Sequence, residues 1–292
     1  MNNQHLEAVQ TYLRRNVSDQ GWEFQSPPHG TGQESYLARC GDQAFFVKLG
    51  VNIERHLVME DLGLSPPLVT AGTLFDGTSI LVQEYVEGRM PTRQDFHDHL
   101  RTFASHLGVT HQSERLRKVL PKRRSVLYKD VGLEALEEVT RRWEQHKGEV
   151  PESVAYVDEK IRYLKEVTGQ LEGGGLVCSH NDPCNGNCLL AVDGRIYLLD
   201  YESMALDDPA VDLGAILWWY YPLEMRMDFI EIAGYQDGDA FRERMRIRMA
   251  IHCLHILLPR PDSLDRFRIE RFIDGLVDFR AVVEGKENPQ GY

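Results

Sequence analysis

The 292-residue chain lacks the marks of several common protein classes. Basic residues are outnumbered, 33 lysines and arginines against 45 aspartates and glutamates, a net of 33 − 45 = −12. A nucleic-acid binder needs a basic footprint for the phosphates, so that task is excluded as the main one, and cations are the favoured small partners. Long hydrophobic runs are missing. The longest, AILWWYYPL at 215–223, falls far short of the roughly 20 residues that span a bilayer. The opening MNNQHLEAVQTYLRRN has no apolar signal core. Cysteines are few and odd in number (Cys40, Cys178, Cys184, Cys188, Cys253), which is not a disulfide framework. No G-x-x-x-x-G-K-[ST] loop occurs, and Gly30-Thr31-Gly32 lacks the third glycine of a dinucleotide fingerprint. These absences predict a reduced, soluble, cytoplasmic protein with neither a membrane nor a nucleic-acid partner. Nothing in the pattern sets its oligomeric state.

What is present divides into a mixed N-terminal part and a helical remainder. Residues 4–15 carry Leu6, Val9 and Leu13 on one helical stripe. Two apolar runs, 35–39 and 44–49, flank Gly41-Asp42 and predict a hairpin. A helix is predicted over 52–62, stopped near Gly63 and Pro66-Pro67. Strands are predicted near 68–74 and 79–86. Helical spacing dominates from 93 to the triple glycine at 173–175, and again from about 209 to the mid-280s.

The segment that carries chemistry is 176–213, LVCSHNDPCNGNCLLAVDGRIYLLDYESMALDDPAVDL. A short strand leads into the polar loop HNDPCNGN. Two further strands follow, joined by Asp193-Gly194, a strong hairpin dipeptide. The hairpin is expected to return Asp200 towards the loop that holds His180, Asp182 and Asn187. Carboxylate and amide oxygens at a loop mouth suit Mg²⁺, which takes oxygen ligands and shares its shell with phosphates. One carboxylate remains to accept a proton from an attacking hydroxyl. Protein kinases use the same parts: a loop Asp, an Asn five residues on, and a metal-binding Asp beyond a hairpin. Lys48 lies where a kinase strand lysine falls, with Glu54 or Glu60 on the next helix as its partner. The loop HGTGQESY at 29–36 is placed to cover phosphates, and QEYVEG at 83–88 to form an adenine-receiving hinge.

Together these motifs resemble the aminoglycoside phosphotransferase and choline kinase superfamily. HNDPCNGN fits its H-x-D-x-x-x-x-N loop, LLDYE its I-D-[WFY]-E strand, and DDPAVDL its D-P-x-x-D-L helix start. HGTGQESYLAR departs from the family's G-G-x-x-N-x-x-Y loop at His29 and Gln33. The resemblance implies an α+β, protein-kinase-like two-lobed fold. A small β-rich N-lobe would occupy 1–86 and a larger, mainly helical C-lobe 87–292. It implies ATP and Mg²⁺ as cofactors and transfer of the γ-phosphoryl group to a hydroxyl. Asp182 would be the catalytic carboxylate, and Asn187 and Asp200 the metal ligands. Lys48, positioned by Glu54, would contact phosphates, with Gly30, Gly32, Ser35, Gln83 and Tyr85 completing the nucleotide site. His180 and Asp212 would be architectural.

The acceptor is expected to be a small cation, choline or a related amino alcohol such as ethanolamine, with an aminoglycoside as the alternative. Trp218, Trp219 and Tyr221, with Glu202, are the candidate acceptor residues, because aromatic faces attract quaternary ammonium groups by about 0.5–2 kcal/mol. A bland reading of the same aromatics is core packing at helical spacing. Cys178, His180, Cys184 and Cys188 invite a zinc reading, which the lack of a paired C-x-x-C weakens. A non-catalytic kinase-like binding protein and a protein kinase are the remaining classes. The first is opposed by the intact lysine, aspartates and asparagine, the second by HND and DYE in place of HRD and DFG.

Overall fold

The computed structural model describes residues 3–27, 34–260 and 266–291. In chain order the elements are α1 (Asn3–Asn16), β1 (Glu23–Gln25), β2 (Ser35–Cys40), β3 (Gln43–Leu49), α2 (Ile53–Asp61), β4 (Leu68–Thr73), β5 (Ser79–Glu84) and β6 (Gly88–Arg89). Then come α3 (Arg93–Asp98), α4 (Leu100–Gln112), α5 (Glu114–Val119), α6 (Tyr128–His146), α7 (Pro151–Gly169), β7 (Val177–Ser179), β8 (Cys188–Ala191) and β9 (Ile196–Leu198). The chain ends with β10 (Ala205–Asp207), α8 (Ala210–Tyr220), α9 (Leu223–Ile232), α10 (Asp239–Leu257) and α11 (Ile269–Val283). Two units emerge, one of residues 1–90 with 185–203, the other of 91–184 with 204–292.

The first unit is built on a five-stranded antiparallel sheet in the order β1-β2-β3-β5-β4. Side chains alternate across a strand, so Phe45, Val47 and Leu49 of β3 share one face, while Phe46 and Lys48 take the other. The first face joins Val9 and Leu13 of α1, Trp22, Ile80 and Val82 in a buried core. On the second face Lys48 lies opposite Ser35 and Leu81, and Phe46 opposite Leu37 and Gln83. Helix α2 starts at Asn52, whose side chain accepts from the Arg55 N–H at 3.1 Å, a standard N-cap.

The hairpin β8–β9 belongs to this unit because β6 pairs with β8, Gly88 opposite Ala191. A side chain at Gly88 has no room: its Cβ would fall 2.5 Å from the Leu190 carbonyl oxygen. The Leu198 N–H bonds Leu64 O at 2.8 Å, which ties the hairpin to the end of the α2 region. The sequence reading assigned 185–203 to the C-terminal lobe; in the structure these residues cluster with the N-terminal sheet.

The second unit is mainly helical. One core packs α6, α7, α8, α10 and α11, with Trp143 stacked on Phe272 at 5.4 Å. Helix α8 is buried at almost every position. Gly214 lets α10 approach it closely, since a Cβ there would lie 2.8 Å from Met245 O. Strand β7 pairs antiparallel with β10, Ser179 opposite Ala205. Among the described residues no helix is long and apolar enough to cross a membrane.

Candidate active site

The candidate residues fall into two groups, one in each unit. The loop HNDPCNGN is itself divided, residues up to 184 lying in the second unit and 185 onward in the first.

In the first unit, the antiparallel register of β8 and β9 sets Cys188 opposite Leu198. One step further, the Leu199 N–H donates to the Asn187 carbonyl at 2.7 Å. The hairpin therefore brings Asp200 to the end where Asn187 stands. Asp200 takes a left-handed backbone, φ 58°, and its side chain is exposed. Lys48 is more buried. Burial pushes its ammonium below the ordinary lysine range, and the negative charges of Asp200 and Glu202 oppose that shift. Asn187 and Asp200 supply an amide and a carboxylate oxygen, a donor set that fits Mg²⁺, which commonly takes one or two protein ligands and fills its shell with water and phosphate.

Other first-unit expectations are placed differently. Glu54, expected beside Lys48, is exposed on the first turn of α2. Glu60 accepts from the Leu68 N–H at 2.9 Å and so secures the entry to β4. On the same helix His56 is fully buried and feels the charges of Glu202, Lys48 and Asp200. Glu202, assigned to the acceptor from sequence, sits with its Oε1 3.7 Å from His56 Nε2 in the first unit. Gln83 is buried, and its amide nitrogen donates to Ser65 Oγ at 2.8 Å and Pro66 O at 3.0 Å. Its amide nitrogen is thus engaged by the segment that precedes β4. Tyr85 is 40% exposed at the end of β5, and its N–H bonds Ala44 O at 3.0 Å. Ser35 opens β2 opposite Lys48. Gly30 and Gly32 lie outside the described residues.

In the second unit the loop at 180–182 hangs on one carboxylate. Asp212, fully buried on the first turn of α8, accepts from the His180 N–H and the Asn181 N–H, both at 2.7 Å. It is also bonded to His111 Nε2 at 2.8 Å, and the other ring nitrogen of His111 meets the Tyr235 hydroxyl at 2.7 Å. Burial alone would raise the Asp212 pKa; the hydrogen bond from His111 and the neighbouring positive dipoles and charges outweigh it and hold the group ionised. Asn181, like Asp200, has a left-handed backbone, φ 65°. Asp182 is half-buried beside it. His252 of α10 feels the charges of Asp182 and Asp212, while burial pushes its imidazole below the ordinary range. No sequence signal marked His252, since a lone histidine within a helical run has no local signature. Asp207 and Asp208 of the DDPAVDL segment are bound to Arg248 at 2.9 Å and Arg244 at 3.0 Å.

Three of the four clustered aromatics, Trp218, Tyr220 and Tyr221, are buried. Tyr221 is fully buried, its hydroxyl donating to Phe96 O at 2.9 Å, and Trp218 is packed into the helical core. Tyr220 stacks on Phe96 at 4.0 Å. Trp219 alone of the four is half-buried. Trp218 also lines a cavity of about 410 Å³ among α8, α9, α10 and the end of α11, whose lining includes neither Asp182 nor Asp212. Among the described residues no group of three or more His, Cys, Asp or Glu side chains is arranged to hold a metal ion.

These features belong to a recognisable class. The profile of the APH phosphotransferase enzyme family matches residues 52–247, about two thirds of the chain. The chain belongs to that family and is an enzyme of the small-molecule kinase class. Its fold is similar to that of a choline/ethanolamine kinase family protein from Mesorhizobium loti, with TM-score 0.67, 17% identity, and 98% of this chain and 96% of that one covered. It is similar too to the choline kinase LicA from Streptococcus pneumoniae, with TM-score 0.64, 15% identity, and 95% and 99% covered. A third similar fold is a putative aminoglycoside phosphotransferase from Ralstonia eutropha JMP134, with TM-score 0.66, 14% identity and 96% of each chain covered. The protein-kinase-like fold expected from the sequence is the fold observed.

Proposed function

We propose that the protein transfers the γ-phosphoryl group of ATP, with Mg²⁺, to a hydroxyl of a small cationic acceptor, choline or a related amino alcohol. The observation that carries this is the β8–β9 hairpin, which joins Asn187 to the Asp200 segment by a 2.7 Å bond in the unit that also holds the half-buried Lys48. A half-buried ammonium that feels the charges of Asp200 and Glu202 can take phosphate oxygens as charge-assisted hydrogen-bond partners. Asn187 and Asp200 would hold Mg²⁺, which when bound neutralises phosphate charge. Lys48 binds and orients the phosphates. Asp182, on the loop fixed by Asp212, orients the acceptor hydroxyl and accepts its proton. Tyr85, at the end of β5, and Ser35, opposite Lys48, are the remaining described candidates for nucleotide contact. Neighbouring folds have been crystallised with AMP and with ADP.

The cationic acceptor rests on the net charge of −12 and on the choline kinases among the similar folds. With Tyr221 and Trp218 in the core, an aromatic cage is no longer part of that case; Trp219 is the remaining aromatic candidate. The aminoglycoside alternative is supported by neighbours that carry spectinomycin and kanamycin. Consumption of ATP and the buried free thiols of Cys40, Cys178 and Cys253 suit the cytoplasm.

The test is ADP release from Mg²⁺-ATP with choline, ethanolamine and kanamycin in turn, with Asp182→Asn as control. Turnover on choline or ethanolamine that falls about 10²–10⁴-fold in the variant is expected. Turnover on kanamycin alone makes the protein an aminoglycoside phosphotransferase. Failure to bind Mg²⁺-ATP at all refutes the phosphotransferase site as drawn.

A further inference from the structure

Asp200 lies just past the end of β9, with its carboxylate exposed and its backbone at φ 58°. The residues that follow it, 201–203, form one short helical turn. A turn of that length cannot satisfy its own last carbonyls, which need donors from elsewhere. Helix α2 supplies them. Arg55, half-buried in its first turn, donates through Nη1 to the Tyr201 carbonyl at 3.0 Å and to the Glu202 carbonyl at 3.1 Å. The next residue, His56, meets the Tyr201 ring edge-on at 4.8 Å. The segment beyond α2 reaches the same stretch, since the Leu64 carbonyl accepts from the Leu198 N–H at 2.8 Å and from the Tyr201 hydroxyl at 3.5 Å. All of these residues belong to the first unit.

We propose that Arg55 is the positioning residue of the metal site: it fixes the 201–202 turn on α2 and so keeps Asp200 in the left-handed conformation that presents its carboxylate at the Asn187 end of the hairpin. The proposal rests on the reading of Asn187 and Asp200 as Mg²⁺ ligands. The left-handed region is an uncommon one for any residue with a side chain, so an Asp200 released on one flank is free to leave it. Apparent affinity for a ligand falls in proportion to the fraction of molecules in the binding conformation. The Arg55 Nη1 carries two hydrogens, one for each carbonyl. Both bonds end on backbone, so what Arg55 sets is the path of the chain. The sign of the effect separates this from a role of charge. A cation acting by charge alone would repel Mg²⁺, and its removal would tighten metal binding. A positioning cation weakens metal binding when it is removed.

The experiment uses the full-length protein and the variants Arg55→Met, Arg55→Gln, Arg55→Lys, Asp200→Ala and the pair Arg55→Met with Asp200→Ala. Mn²⁺ stands in for Mg²⁺, and its binding in the presence of ADP is followed by loss of the free-ion electron paramagnetic resonance signal. The Kd of a fluorescent ADP analogue in EDTA, kcat, and the Mg²⁺ concentration for half-maximal turnover are the other readouts. Arg55→Met is expected to weaken Mn²⁺ binding about tenfold and to raise the Mg²⁺ requirement alike. The metal-free Kd of the ADP analogue is expected to stay within about twofold, and kcat at saturating Mg²⁺ within about threefold. Arg55→Met is expected to add nothing in the Asp200→Ala background, and Arg55→Lys to restore part of the metal affinity. Arg55→Gln, neutral and too short to span both carbonyls, follows Arg55→Met and replaces it if that variant melts early.

Mn²⁺ affinity that is unchanged or tighter in Arg55→Met, or in Arg55→Gln where it is the replacement, overturns the proposal while Asp200→Ala weakens binding. A metal-free ADP affinity that falls as far as the Mn²⁺ affinity overturns it too, since the damage is then general to the first unit. Additive effects in the pair separate Arg55 from Asp200 and have the same consequence. If Asp200→Ala leaves Mn²⁺ affinity unaltered, the underlying reading of the metal ligands fails, and the role of Arg55 falls with it.

Discussion

Asp212→Asn is the substitution that best tests how the second unit holds the loop at 180–182. The carboxylate accepts from the backbone N–H groups of His180 and Asn181 and is bonded to His111, and it is fully buried. An asparagine has nearly the same shape but one acceptor oxygen instead of two. With the amide oxygen at the Oδ2 position, the bonds from His180 and His111 survive as neutral ones. The NH₂ group then faces the Asn181 N–H, and two donors oppose each other.

The loss of a charge-assisted bond costs about 1.5–3 kcal/mol and a stranded donor about 1–3 kcal/mol, so the variant should be destabilised by about 3–5 kcal/mol. Asn181 sits at φ 65°, so a released N–H lets the backbone relax out of the left-handed region. Relaxation there displaces Asp182, the next residue. A shift near 1 Å at a reacting group lowers turnover by about 10²-fold. Urea unfolding followed by circular dichroism gives the stability, and ADP release with the best acceptor gives the turnover. Nucleotide affinity, assigned to first-unit residues, should stay within about threefold, a difference under 1 kcal/mol. A variant within about 0.5 kcal/mol of wild type in urea, with unchanged turnover, refutes the view that Asp212 supports this loop.

Three further outcomes are expected. Gly214→Ala puts a Cβ 2.8 Å from Met245 O and should lower stability in urea by about 1–3 kcal/mol through separation of α8 and α10; an unchanged midpoint would show that the helices yield freely. Tyr221→Phe removes the hydroxyl bonded to Phe96 O and should cost about 1 kcal/mol while leaving KM for the acceptor unchanged; a raised KM would return Tyr221 to the acceptor site. His255 is pushed down to about 3 by burial and by Arg142, whose Nη1 donates to His255 Nδ1 at 3.1 Å. Its folded pKa lies below the ordinary 6.5, so the unfolded chain takes up a proton that the native state refuses. The stability it contributes is whole above pH 6.5 and is lost as pH falls towards 3, with a slope near 1.4 kcal/mol per pH unit between those limits. Melting curves of wild type and His255→Gln between pH 7.5 and 5 should diverge at neutral pH and converge as the pH falls; parallel curves would contradict the buried neutral imidazole.

What the sequence made legible was local. Asp193-Gly194 marks a hairpin by itself, and the five-residue step from Asp182 to Asn187 survives as a pattern because loop chemistry depends on chain spacing. Helix α2 was visible from its apolar residues and its stop at Gly63. Which α2 side chain turns inward was not. That depends on the packing of the helix against β4 and β5 and on the Arg55 bonds to Tyr201 and Glu202, 146 and 147 residues away along the chain. The three-residue β1 and β10 and the two-residue β6 are too short to show a period of two, and each exists only through its pairing partner. The membership of 185–203 in the first unit rests on contacts distant in sequence: β6 with β8, the Leu198 N–H on Leu64 O, and Arg55 on the Tyr201 and Glu202 carbonyls. The aromatic run at 218–221 reads equally as core or wall from composition. Packing against Phe96 and the helical core decides for three of its four members.

The left-handed backbone at Asp200 explains a feature that strand periodicity would forbid. In a continuous strand Asp200 shares a face with Leu198, two residues earlier. Leu198 is 2% exposed and Tyr201 is 1% exposed, so a regular strand would bury the carboxylate or expose the leucine. At φ 58° the chain leaves the strand direction at Asp200 and enters the short helical turn at 201–203. The carboxylate is thereby exposed while both apolar neighbours stay buried. Such a conformation costs of order 1 kcal/mol for a non-glycine residue, and Asp and Asn enter it most readily because a short polar side chain can bond locally. It persists because both flanks are pinned: Leu199 to Asn187 on one side, and Tyr201 and Glu202 to Arg55 on the other. Asn181 repeats the device in the second unit. Its N–H is held by Asp212 and its side-chain oxygen by the Ser179 hydroxyl at 3.0 Å. A glycine would adopt either angle without strain, but at 200 it would carry no carboxylate, and at 181 it would lose the bond to Ser179. At both positions the left-handed backbone thus goes with a polar side chain at a point where the chain must turn.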